Sequence, residues 1–122
     1  MSEQFPQQRR LKQSAQFDYV FADPIKSVDA YFVVLARRRP ADGHGLRLGL
    51  AISRKCARRA VARNRLKRLA REAFRRDHRP WQQLDADVVV IGRHQAPLAD
   101  RATLAASFHH HWQVLGQRLC AP

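Results

Sequence analysis

The chain has 122 residues, 45% of them hydrophobic, which is enough for one modest core in a single domain. Twenty-three Lys and Arg against ten Asp and Glu leave a formal charge of +13, a field that suits a polyanion, either nucleic acid or an anionic membrane surface. No segment approaches the roughly 20 consecutive apolar residues of a membrane span, and Met1 to Lys12 is polar with no apolar signal core. Cys56 and Cys120 have no CxxC spacing and read as reduced thiols of a cytoplasmic protein, so nucleic acid outranks membrane as the partner.

A first short helix is expected from Ser14, a good N-cap residue, with Phe17, Val20 and Phe21 on one apolar face and Pro24 closing it. The β-branched and aromatic run from Ala30 to Ala36 reads as a strand, with Ser27 and Val28 as a short strand ahead of it. Arg38 to Gly45, with Pro40, Asp42 and two glycines, is a turn. Leu46, Leu48, Leu50 and Ile52 then alternate with smaller or polar residues as in a half-buried strand, so a two-stranded hairpin across the turn is expected. The longest helix is predicted from Arg58 to about Arg76, with Ala62, Leu66, Leu69, Ala70, Ala73 and Phe74 on one side. Asn64, Lys67, Arg68, Arg71 and Arg75 lie opposite, while Arg63 and Arg65 flank the stripe. Asp87 to Gly92 is a continuous apolar run, hence a strand buried on both faces. Asp100 is the predicted N-cap of a last helix whose face is Leu104, Phe108, Trp112, Leu115 and Leu119. The order α-β-β-(β)-α-β-α gives an α+β sandwich: three helices on a small mixed sheet of three or four strands. Residues 1–9 and 117–122 are expected to be flexible tails of a single RNA-binding domain.

Charge is concentrated in one place. Residues 54–79 hold twelve basic side chains against Glu72 and Asp77, which is +10 of the net +13. Like charges three and four residues apart on a helix oppose its formation unless something neutralises them, and phosphate does so. The strand end at Arg54 and Lys55 feeds into the same patch, which continues through Arg58 and Arg59.

The stretch from Ser53 to Arg75 resembles the signature of the ribonuclease P protein family. It combines the basic strand end, a seven-residue spacer, Arg63-Asn64-Arg65, Leu66-Lys67-Arg68-Leu69 and Arg71-Glu72-Ala73-Phe74-Arg75. The likeness runs from about Arg10 to Trp112. It takes in Arg10-Leu11-Lys12 with Phe17, Val20 and Phe21, then Leu48-Gly49-Leu50, and Asp87 to Ile91. The resemblance implies a left-handed β-α-β crossover, which spacing alone would not suggest because about 98% of such crossovers are right-handed. It also implies a protein subunit of a ribonucleoprotein endoribonuclease, whose partners are the catalytic RNA and the 5′ leader of precursor tRNA. On this likeness Arg63, Asn64, Arg65, Lys67, Arg68 and Arg71 belong to the RNA-contacting helix. Phe17 and Phe21 are the aromatic positions of a leader cleft, and Val33 and Leu35 its sheet floor. Leu35 departs from members with tyrosine there. Mg²⁺, required by the holoenzyme, is implied to be held mainly by RNA, with no metal held by the protein alone.

The remaining residues offer no catalyst. His109-His110-His111 diverge by about 100° per residue on a helix and read as a solvated face. There is no zinc-ligand set, Gly-rich phosphate loop or nucleophile elbow, and the few carboxylates are scattered. A purely structural RNA-binding protein, such as a ribosomal protein, is the other reading the charge allows. DNA binding lacks a helix-turn-helix ahead of the basic helix.

Overall fold

The protein is described from a computed structural model that covers residues 10–77 and 84–120. Helix α1 spans Ser14–Ala22, followed by β1 (Ile25–Val28), β2 (Phe32–Arg38), β3 (Leu46–Ala51), α2 (Ala60–Asp77), β4 (Ala86–Gly92), a 3₁₀ turn (Ala96–Leu98) and α3 (Arg101–Cys120). The class and element order are those expected, α+β in the order α-β-β-β-α-β-α. Gln13, not Ser14, is the N-cap of α1, because the Gln16 side chain accepts the backbone N–H groups of Lys12 and Gln13 at 2.8 and 3.0 Å. Asp100 caps α3 as predicted, its carboxylate accepting the Thr103 N–H at 2.8 Å.

The sheet order β1-β2-β4-β3 corrects the expected hairpin. β2 and β3 do not pair; β4 runs between them, antiparallel to β2 (Val34 opposite Val90) and parallel to β3 (Leu48 opposite Val88). β4 is the only strand of the described sheet apolar at nearly every position from Ala86 to Ile91. A strand of that kind is most stable with a partner on each edge and a layer on each face. The hairpin is instead β1–β2, closed by Asp29, whose Oδ1 accepts the N–H groups of Tyr31 and Phe32.

Period-two alternation divides the side chains between two layers. Phe32, Val34, Leu46, Leu48, Val88 and Val90 face the main core, where they meet Leu66, Phe74, Phe108 and Trp112 of α2 and α3. Phe108 stacks on Phe32 at 4.4 Å between ring centroids and Phe74 meets Trp112 edge-on at 5.5 Å. The other face carries Leu35 and Val89 and is covered by Val20 of α1 and by Leu11. Helix α3 continues to Cys120 with Leu119 in the main core, so residues 117–120 are not the expected tail; residues 1–9 lie outside the described chain. No helix among the described residues is long and apolar enough to cross a membrane.

Candidate nucleic-acid interface

Helix α2 buries Leu66, Leu69, Ala70, Ala73 and Phe74 and turns its cations outward. Asn64, Arg68 and Arg75 are exposed, as are Arg54, Lys55, Arg58 and Arg59 in the turn that precedes the helix. Arg63 and Arg65 are partly committed to the fold. Arg63 donates to the carbonyls of Ala57 and Arg58 at 3.0 and 2.8 Å, closing the entry to the helix. Arg65 donates to the Ala99 carbonyl at 3.1 Å, joining α2 to the start of α3. A guanidinium carries five N–H donors, so both retain donors for a ligand.

Lys67 and Arg71 are half-buried on the flank of α2 that faces the N-terminal segment. That segment is held along β3 by a parallel bridge between Arg10 and Leu48, with the Leu11 N–H donating to the Leu48 carbonyl at 2.9 Å. Arg10, Leu11, Lys12, Leu48, Leu50, Lys67 and Arg71 enclose a cavity of about 250 Å³. Burial, and then the neighbouring Arg10 charge, push the Arg71 guanidinium below its usual pKa, and Arg10 Nε is buried with no hydrogen-bond partner among the described residues. Cations gathered in a half-buried recess with a donor to spare are an arrangement that can take an anion.

On the opposite face, α1 lies across the sheet. Phe17 is half-buried, Phe21 is 46% exposed, and their rings stand 6.5 Å apart. The open floor beside them is Val33 with Ala51 and Ile91, all partly buried. Leu35, expected in that floor, is only 5% exposed in the cluster formed with Val20 of α1, so it supports the cleft from beneath. Ala51 and Ile91 escaped the sequence reading because their side of the sheet is known only once the strand order is. Tyr19 fixes the helix: its hydroxyl donates to the Arg38 carbonyl at 2.7 Å, its carbonyl accepts from Arg37 at 2.8 Å, and the Arg37 guanidinium sits 4.0 Å above its ring.

Below that end of the cleft a buried ion network pins the 39–47 turn. Asp87, 1% exposed, is bound by Arg39 at 2.6 Å and by Nε and Nη2 of Arg47 at 2.8 and 2.9 Å. Arg39 also grips Asp42, holding that carboxyl well below the usual range. The carboxylates of this network are thus paired with arginines, whereas Asp18 of α1 and Asp23 just after it are exposed.

His109 and His110 are exposed, but His111 is completely buried, which corrects the reading of all three as a solvated face. The signal lay in the spacing: residue 111 falls on the same helical stripe as Leu104, Phe108 and Leu115. His111 Nδ1 lies 2.7 Å from Ser27 Oγ and Nε2 lies 3.2 Å from Asp29 Oδ2, which also accepts the Ser107 hydroxyl. Burial lowers the His111 pKa and outweighs the nearby Asp29, so the ring is neutral at pH 7. The Asp-His-Ser order is that of a nucleophilic triad, but Ser27 is 7% exposed and faces the core; the trio is a clasp between the β1–β2 turn and α3. Among the described residues no three His, Cys, Asp or Glu side chains converge on a metal position.

Nearly the whole chain is similar to known proteins. A family model described as Ribonuclease P matches residues 5–116. The ribonuclease P protein component of Thioalkalivibrio sulfidiphilus is 46% identical over 119 residues, covering 97% of this chain and 95% of the relative. That of Methylococcus capsulatus is 43% identical over 93% of this chain and 86% of its own. Among solved structures, the RNase P protein of Staphylococcus aureus superposes with a TM-score of 0.79 at 27% identity, over 88% of this chain and 94% of that one. The RNase P protein of Thermotoga maritima superposes with a TM-score of 0.69 at 32% identity, over 89% and 96%. The match spans nearly the whole chain, with the basic helix and the aromatic helix both inside it: this chain belongs to the ribonuclease P protein family.

Proposed function

We propose that α2 and the turn before it bind the catalytic RNA of ribonuclease P, and that the cleft between α1 and the sheet takes the single-stranded 5′ leader of precursor tRNA. The chain then acts in the cytoplasm as a non-catalytic subunit that promotes 5′ maturation of tRNA. One observation carries this reading: the Arg10–Lys12 segment borders both surfaces, with Leu11 in the α1 cluster and Arg10 and Lys12 lining the recess with Lys67 and Arg71. A strand leaving the rings of Phe17 and Phe21 meets phosphate-binding cations within the same molecule. Single-stranded RNA is recognised by that combination of stacking side chains and a positive groove.

The protein's own groups bind, orient and neutralise. Arg54, Lys55, Arg58, Arg59 and Arg68 supply exposed charge for phosphates, Asn64 supplies an amide among them, and Arg63 and Arg65 are held rigid by their carbonyl contacts. Asp29, Asp42, Asp87 and Asp100 are engaged by protein donors, and among the described residues no three metal-ligating side chains converge. In this reading Mg²⁺ is held mainly by the RNA. Family membership favours this reading over a purely structural RNA-binding role. The test is cleavage of precursor tRNA by the cognate RNA in Mg²⁺ with and without the protein: acceleration is expected with it, and none from the RNA-free protein. Metal-dependent hydrolysis by the protein alone would overturn the reading.

A further inference from the structure

On the α2 side of the sheet, away from the leader cleft, the 3₁₀ turn Ala96–Leu98 forms a shelf. Its Ala96 is buried, whereas Leu98 is 83% exposed and Val61, in the first turn of α2, is 80% exposed. Arg65 ties the shelf to α2 through the Ala99 carbonyl. Between the shelf and the β1–β2 turn lies an open recess of about 420 Å³ lined by Tyr31, His94, Gln95, Leu98 and Ala99.

The lining has two chemistries. Leu98, Ala99 and the Tyr31 ring offer apolar faces. The Tyr31 hydroxyl, the His94 ring and the Gln95 amide offer donors and acceptors that make no hydrogen bond among the described residues. A planar heterocycle needs both, an apolar surface for its face and hydrogen-bonding groups for its edge. Charge selects the kind of heterocycle. The acids nearby are already engaged: Asp29 accepts from Ser107, Tyr31 and Phe32, and Asp100 accepts from Thr103. Arg65 brings the cationic surface of α2 to the rim. A second copy of a chain at +13 is repelled from such a surface, whereas a nucleotide is attracted.

We infer that this recess holds one unpaired nucleobase of the RNA that α2 binds. The base stacks against Leu98 and the Tyr31 ring, its edge meets Gln95 and His94, and its phosphate lies toward Arg65. The inference rests on the reading of α2 as the surface for the catalytic RNA, and adds a base contact to a surface otherwise described by charge alone.

The experiment compares binding of the full-length protein to the cognate catalytic RNA across a salt series, for wild type, Leu98→Ser, Gln95→Ala and Arg68→Ala. Leu98 is too exposed for its loss to disturb the core, and equal melting temperatures verify this. Leu98→Ser is expected to weaken binding roughly tenfold at every salt concentration, because a stacked base is lost and no ion pair. Arg68→Ala should instead make the salt slope shallower by about 0.7–0.9. Unchanged affinity for Leu98→Ser and Gln95→Ala, with Arg68→Ala weakened, overturns the base site and leaves the α2 reading standing. Unchanged affinity for all three removes the α2 reading and the inference with it. A wild-type dimer that Leu98→Ser makes monomeric without loss of RNA affinity reassigns the recess to contact between copies, and also overturns the proposal.

Discussion

The ring of Phe17 rests on the main chain of Gly49: a Cβ at Gly49 would lie 2.7 Å from Phe17 Cε1 and 2.8 Å from Cζ. Gly49 does not have a positive φ, so its value here is the room it leaves and not the turn it permits. The missing side chain lets α1 settle onto β3 with Phe17 half-buried and Phe21 open to solvent. Gly49→Ala is therefore expected to displace the ring and loosen α1, at a cost of about 1–3 kcal/mol. Chemical denaturation measures the loss, and precursor tRNA affinity should fall with it.

The two phenylalanines should separate in their effects. Phe21→Ala removes an exposed ring and should leave the denaturation midpoint nearly unchanged, while weakening leader-bearing precursor by about 1–3 kcal/mol if the ring stacks on a base. Phe17→Ala should lower both stability and precursor affinity. Mature tRNA, which has no leader, is the control: paired affinities should show a loss on the precursor alone for Phe21→Ala.

Arg71 carries its charge at a cost, because burial and the neighbouring Arg10 both oppose it, and a bound phosphate would offset that cost. Arg71→Met keeps the aliphatic stem and removes the charge. The free protein should be at least as stable as wild type at low salt, while RNA binding weakens and its salt slope becomes shallower by about 0.7–0.9. By contrast, Leu66→Ala opens a cavity at a fully buried position and should cost about 2–5 kcal/mol of stability.

The clasp gives a pH dependence with a definite sign. His111 has a folded pKa below its ordinary 6.5, so the unfolded chain takes up a proton first, and stability falls as pH drops below 6.5 toward the folded value. For Asp29, burial alone would raise the pKa, but the donors Ser107, Phe32 and Tyr31 and the nearby His111 outweigh it. Its contribution is present above 3.8 and is lost as pH falls through the lowered value. Urea midpoints at pH 7.5 and 5.5 should therefore differ more for wild type than for His111→Gln.

The local features were legible in the sequence and the distant ones were not. Helical spacing found the buried face of α2, because Leu66, Leu69, Ala70, Ala73 and Phe74 repeat with the helix itself. The cap at Asp100 and the double burial of β4 were equally readable, each depending on a few neighbouring residues. Strand order depends on which distant segments satisfy one another, and the turn at 38–45 looked like a hairpin because nothing local reveals that β4 takes the place between β2 and β3. The same blindness put Leu35 in the cleft floor, since only the seat of α1 shows that Val20 covers it. Among the candidate RNA contacts, charge located the patch, but it could not distinguish the exposed Arg68 from Arg63 and Arg65, whose guanidiniums also brace the backbone.

The insertion of β4 between β2 and β3 sets a schedule for the growing chain. During synthesis β1 and β2 can form their hairpin early, but β3 has no strand pairing beyond the short Arg10 bridge until Gly92 has left the ribosome. Across that interval the whole cationic helix is made while the strand that completes the sheet beneath it is still missing. Sheet closure is a late, long-range event of the kind that slows folding. A nascent chain released before β4 would carry the polycationic segment without α3, against which the apolar side of α2 packs.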